Sequence, residues 1–132
     1  MLGILLLGED LRLLATRAAV LRRVDAEVDL CRPQDCSARM NARRYDLLVL
    51  CHTLRERDAE AITQQAQQRW PNVQILQIVR ERWMETAQRR GVALVSTPEP
   101  RRLVERTRAL FHLAAVGQES RGAAKGLQPG VH

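Results

Sequence analysis

Two stretches of this chain carry no polar side chain: Ile4–Leu7, and Leu47–Leu50 with Cys51 directly after. Each is far too short to cross a membrane. Each fits a strand covered on both faces, the situation of a parallel sheet with helices packed above and below it. That requirement dictates the rest of the chain, because parallel neighbours need crossovers and crossovers are usually helical.

The intervening segments supply them. Leu11, Leu14, Ala18 and Leu21 recur at helical spacing, with Arg12, Arg22 and Arg23 off the stripe. "AEVDLC" then alternates, Ala26, Val28 and Leu30 against Glu27 and Asp29, which predicts a strand with one wetter face near a sheet edge. Residues 34–44 predict a short helix around Met40. After the run at Leu47–Cys51, a helix is expected over Asp58–Trp70, with Ala59, Ile62 and Ala66 inward and Pro71 as its stop. Val73–Val79 predicts a fourth strand and Glu81–Arg90 a fourth helix ended by Gly91. Val92–Val95 predicts a fifth strand. Pro98–Ala115 predicts a fifth helix with Leu103, Val104, Leu110 and Phe111 inward. From Gly117 the composition turns to Gly, Ser, Gln and Pro, and residues 117–132 are expected to be a disordered tail behind a domain of residues 1–116.

Five strands alternating with five helices predict an α/β fold: one doubly wound, five-stranded parallel sheet with helices on both faces. A flavodoxin-like order, 2-1-3-4-5, places the alternating strand at an edge and the two apolar runs in the middle. Ligands in such sheets bind beyond the carboxyl ends of the strands, at the switch point between strands 1 and 3. Gly8, Glu9, Asp10 and Cys51 to Leu54 would line it, flanked by Val79, Arg80, Ser96 and Thr97.

Composition narrows the function classes. With aromatics at 3% of 132 residues, a stacking platform for bases is not expected. The formal charge of +6 points to anionic partners, but the arginines are spread along the chain and many have acidic neighbours. Nucleic-acid binding is therefore a minor alternative. Three cysteines, Cys31, Cys36 and Cys51, are too few and too odd in number for a disulfide framework, and reduced thiols fit a cytoplasmic protein. The start, "MLGILLLGED", lacks the basic region of a signal peptide, and no membrane association is expected.

In combination, "ILLLGED", "YDLLVL", "RWPNVQILQIV" and "STPEPRRLVERTRALF" resemble a response-regulator receiver domain over roughly residues 2–115. The resemblance implies a phosphorylation switch. An acidic pair and an aspartate hold Mg²⁺, and that aspartate attacks a phosphoryl donor. A Ser or Thr ends strand 4, and a Lys ends strand 5 ahead of a Pro. The carboxylates suit a hard cation, and the metal and lysine neutralise the transferring group.

This chain departs from that pattern at most positions. Glu9 and Asp10 can serve as the acidic pair, or Glu9 alone if Gly8 takes the first slot. Cys51 takes the phosphoacceptor position, Val79 that of the hydroxyl, Thr97 that of the lysine and Leu94 that of the common switch aromatic. Lys125 is the only lysine in the chain, so no register shift can supply the missing one. A thiol is a soft ligand poorly matched to Mg²⁺. Losing one such group commonly costs roughly 10²–10³ in rate. The resemblance therefore implies a degenerate receiver, a pseudo-receiver without enzymatic activity, cofactor or metal, that works by protein–protein contact. The rival is a thiol-based redox or metal sensor centred on Cys51 on the same fold.

Other groupings are weaker. Gly3 to Gly8 has the glycine spacing of a P-loop, but Glu9 stands where the lysine belongs. Cys31 and Cys36 with Cys51 and His52 could form a soft-metal or redox cluster. Strands 2 and 3 flank strand 1, however, so their ends should lie roughly 10 Å apart, and three small hydrophobes is the plainer expectation. The family's partner face, helix 4, strand 5 and helix 5, would present Trp83, Met84, Arg101, Arg102, Glu105 and Arg108 to a docked protein or a second copy. Glu85 with Arg89, and Arg101 with Glu105, are spaced for ion pairs along a helix. Without the family's cations, Glu9 and Asp10 would repel each other. Either the two acids are simply hydrated, with the nearby arginines in solvent, or a cation meets them; for the latter Arg80, in a bidentate contact, is the candidate to test, with Arg55 as the second.

Overall fold

The computed structural model describes residues 2–86 and 91–112. Five parallel strands form one sheet in the order β2-β1-β3-β4-β5, the expected flavodoxin-like arrangement. They are β1 (Leu2–Leu7), β2 (Ala26–Cys31), β3 (Leu47–Leu50), β4 (Gln74–Ile78) and β5 (Leu94–Ser96). The helices are α1 (Leu11–Leu21), α2 (Cys36–Ala42), α3 (Glu56–Arg69) and α4, described over residues 100–112.

The apolar runs behave as their composition requires. Ile4 to Leu7 and Leu47 to Leu50 are all fully buried, pointing alternately into two separate cores. Ile4, Leu6, Leu47, Val49 and Cys51 pack with Leu14, Ala18 and Leu21 of α1 and Leu103, Val104 and Leu110 of α4. Leu5, Leu7, Leu48 and Leu50 pack with Cys36 and Met40 of α2 and Ala59, Ile62 and Ala66 of α3. Burying each such Leu or Val stabilises the fold by about 1.5–3 kcal/mol. Edge strand β2 keeps its wetter face. Asp29 accepts a hydrogen bond from the Tyr45 hydroxyl at 2.7 Å, and Arg43 reaches both Glu27 and Asp29.

Boundaries moved where the signals were local. Helix α3 begins at Glu56 rather than Asp58, because Glu56 and Asp58 both favour its first turn through the helix dipole while Arg55 offers no side-chain cap. β5 lies at Leu94–Ser96 rather than Val92–Val95; Gly91, at φ +85°, makes the turn before it. In α4 the helical residues start at Pro100, a favoured first position, rather than at Pro98. The fourth predicted helix is a 3₁₀ segment, Arg82–Thr86, as far as it is described; residues 87–90, like the expected tail, lie outside the described residues.

Candidate functional site

The carboxyl ends of β1 and β3 bring together Gly8, Glu9, Asp10 and Cys51 to Leu54, as the topology demands. Cys51 follows β3 directly, and its N–H donates to Leu7 O at 2.8 Å. Gly8 has to be glycine here. A Cβ on it would stand 2.9 Å from Thr53 Oγ1, 3.0 Å from Leu14 Cδ2 and 3.1 Å from Cys51 Cβ. The Glu9 N–H donates to Thr53 Oγ1 at 3.1 Å, tying the β1 and β3 loops together.

The acidic pair is divided between two roles. Asp10 is the N-cap of α1: its Oδ1 accepts from the N–H of Arg12 at 3.0 Å and of Leu13 at 3.3 Å. Glu9 is exposed. Arg80 and Arg55 are exposed as well, and among the described residues neither forms an ion pair with Glu9 or Asp10. The Arg80 contact is therefore absent, and the hydrated alternative describes the pair. Solvated carboxylates, one of them engaged by backbone N–H groups, do not need it.

Cys51 is 2% exposed, and burial pushes its thiol up to about 11, with Arg17 opposing the shift. Arg17 was not anticipated. It lies on α1 between Leu14 and Ala18, is only 6% exposed, and has Nε and Nη1 buried without a hydrogen-bond partner. Its charge, with that of Arg80, also acts on the half-buried His52. Burial is the largest cause holding that imidazole below its ordinary value, and the two arginines add to it. The signal in the sequence was its spacing: position 17 falls on the same stripe as Leu14, Ala18 and Leu21.

The receiver fold implies Mg²⁺ at this place, and the residues do not fit it. A buried, protonated thiol stands where a hard oxygen ligand is needed, and one rim carboxylate is already capping a helix. Among the described residues no three His, Cys, Asp or Glu side chains are grouped to hold a metal ion.

The other cysteines separate from Cys51. Cys31 and Cys36 lie in the core layer of α2, on the opposite side of the sheet. The Cys31 thiol hydrogen-bonds to Cys36, which raises the Cys31 pKa, and Cys36 Sγ donates to Met40 Sδ at 3.4 Å. A cluster joining all three cysteines with His52 is not formed, because strand pleating sends the two sets into different layers.

At the β5 end, Thr97 and Ser96 are buried, Val79 and Leu94 half-buried. The Val79 N–H donates to Ser96 O at 2.8 Å. Glu85, in the 3₁₀ segment, accepts from the Thr97 N–H at 3.1 Å, from Arg102 Nε at 2.6 Å and Nη2, and from Arg106 Nη2 at 3.3 Å. These contacts hold its carboxyl below the usual range, the Arg102 hydrogen bond being the largest cause. Thus Glu85 joins the 3₁₀ segment to β5 and α4. Its expected partner Arg89 lies outside the described residues, and Arg101 and Glu105 form no ion pair. Arg102 is turned to this internal clamp. Trp83 is 72% exposed, Met84 half-buried, and Arg101, Glu105 and Arg108 exposed.

Sheet order, crossover helices and switch-point loops define the fold of response-regulator receiver domains. No family model matches the sequence, and no curated protein matches it significantly. Solved structures do match. A CheY-like receiver domain protein from Methanospirillum hungatei JF-1 is 14% identical over 89% of this chain and 98% of its own, with a TM-score of 0.71. The signal receiver domain of an HD domain-containing protein from Pseudomonas fluorescens Pf-5 is 14% identical over 89% and 92%, at 0.73. NtrX from Brucella abortus, in complex with ADP, is 18% identical at 0.79; the match takes in 95% of this chain but 30% of NtrX. No helix among the described residues is long and apolar enough to cross a membrane.

Proposed function

We propose that this chain is a pseudo-receiver: a receiver-fold domain of two-component-type signal transduction in the cytoplasm that acts without aspartyl phosphate, as a protein-interaction module rather than an enzyme. The observation that carries this reading is Cys51, a buried thiol near pKa 11 at the phosphoacceptor position, in a chain with no lysine before Lys125. Nucleophile, metal ligand and charge-neutralising lysine are lost together. The same burial argues against a thiol sensor centred on Cys51, since the thiolate is the reactive form.

The interaction face in this reading is the 3₁₀ segment, β5 and α4. The Glu85 clamp fixes this face in one arrangement, and Trp83 stands exposed on it beside arginines, the residue types that commonly anchor interfaces. Its mixed charge suits a docked protein or a second copy of this chain. The test is incubation with acetyl phosphate and Mg²⁺, or with beryllofluoride, followed by mass spectrometry and amide NMR. Unchanged mass and spectra are expected. A base-labile gain of one phosphoryl group would overturn the reading.

A further inference from the structure

Sulfur is scarce in this chain, which has three cysteines and three methionines. Three of those side chains nevertheless converge at the end of β2, in the core layer on the side of the sheet away from Cys51. Cys31 ends β2, and Cys36 and Met40 stand one turn apart on the same face of α2. The Cys31 thiol hydrogen-bonds to Cys36. Cys36 Sγ in turn donates to Met40 Sδ at 3.4 Å, so the lone pairs of the thioether face the thiol. All three residues are buried, yet Cys31 also lines an open cavity of about 540 Å³, together with Arg32, Asp35 and Arg39. The sulfur cluster therefore has a way in from solvent.

Two thiols and a thioether in mutual contact are a soft donor set, and soft sulfur ligands select Cu(I) over hard cations. Mg²⁺ and Ca²⁺ require oxygen. A closed Zn²⁺ site takes four ligands from Cys, His and carboxylates, and among the described residues no third such side chain joins the two thiols. Two sulfurs that share one metal ion at about 2.3 Å each stand at most roughly 4.6 Å apart. Cys36 and Met40 already meet that limit, and the flexible Met40 side chain lets Sδ draw back to admit the ion. We propose that Cys31, Cys36 and Met40 bind one soft monovalent metal ion, Cu(I), in a three-sulfur site reached through the cavity beside Arg39. Binding releases the two thiol protons to solvent, and Cu(I) keeps its oxidation state. The two thiolates and the ion leave one net negative charge. Arg32 and Arg39 line the entrance against the single carboxylate of Asp35 and offset it.

The site lies in the layer opposite the switch point and does not depend on how Cys51 is read. The full chain is titrated with Cu(I) under a reductant, in competition with a chromophoric Cu(I) chelator. One ion per chain is expected, retained in excess Zn²⁺. X-ray absorption on the loaded chain should show a shell of three sulfurs with no nitrogen or oxygen. Met40→Leu preserves the core volume and removes the thioether, and it should weaken Cu(I) binding by at least about tenfold. Cys36→Ser should weaken it further, whereas Cys51→Ala should bind as the parent does; thermal unfolding of each variant shows that it is folded. Because the absorption measurement needs no substitution, an unstable variant leaves the test intact. Absence of one-to-one binding, a two-sulfur shell, displacement by Zn²⁺, parental affinity in Met40→Leu, or loss of binding in folded Cys51→Ala overturns the proposal.

Discussion

Replacing Glu85 by Gln tests whether the clamp holds the 3₁₀ segment on β5 and α4. The amide keeps an oxygen for the Thr97 N–H but loses the charge that Arg102 meets through two nitrogens and Arg106 through one. A hydrogen bond to a charged group contributes about 1.5–3 kcal/mol against about 0.5–1.5 for a neutral one. Three contacts are weakened rather than removed. Arg102 and Arg106 are a quarter or more exposed, and solvent screens the change. The expected loss is therefore about 1–2 kcal/mol at pH 7, read by urea unfolding with an unchanged m-value. The pH dependence is more decisive. The folded-state pKa of Glu85 lies below its ordinary 4.5, so its contribution is complete above the unfolded value and is lost as pH falls through the folded value. The difference between parent and Glu85→Gln should accordingly shrink below about pH 4.5, while other carboxylates cancel between the two proteins. Equal stabilities at pH 7, or a difference that stays constant down to the acid limit of folding, would refute the clamp.

Two further outcomes follow from the switch point. With its pKa near 11, Cys51 should be thiolate in about one molecule in ten thousand at pH 7; iodoacetamide should leave it unmodified in the native chain and label it readily in urea, and fast native labelling would contradict its burial. Gly8→Ala should destabilise by about 1–3 kcal/mol, because the new methyl meets Thr53, Leu14 and Cys51 at once; a neutral result in thermal unfolding would mean that the loops after β1 and β3 are not pinned together.

The sheet was legible because its information is local and redundant. Leu47 to Leu50 can only be a strand buried on both faces, and "AEVDLC" can only sit where one face is wet. The site was legible as a location, since topology alone brings Gly8 and Cys51 together. Its electrostatics were not. Arg80 is a candidate for compensating charge because it adjoins a strand end, but nearness along the chain does not aim a side chain. Arg17 lay in an apolar stripe, where helical spacing marked it as inward and its charge argued the opposite. For Glu85 the helical spacing rule looks only four residues ahead, to Arg89, outside the described residues; it cannot reach the partners seen, 17 and 21 residues away on α4.

The borders of the sheet shape how copies of this molecule can meet. Any sheet margin is a row of backbone groups that another extended chain could capture, and proteins commonly blunt it with charge or shortness. This chain uses both: β2 carries Glu27 and Asp29, held by Arg43, and β5 has three residues. Runaway stacking strand upon strand is therefore discouraged at either side. An association through the helical flanks would leave the apolar strands within undisturbed.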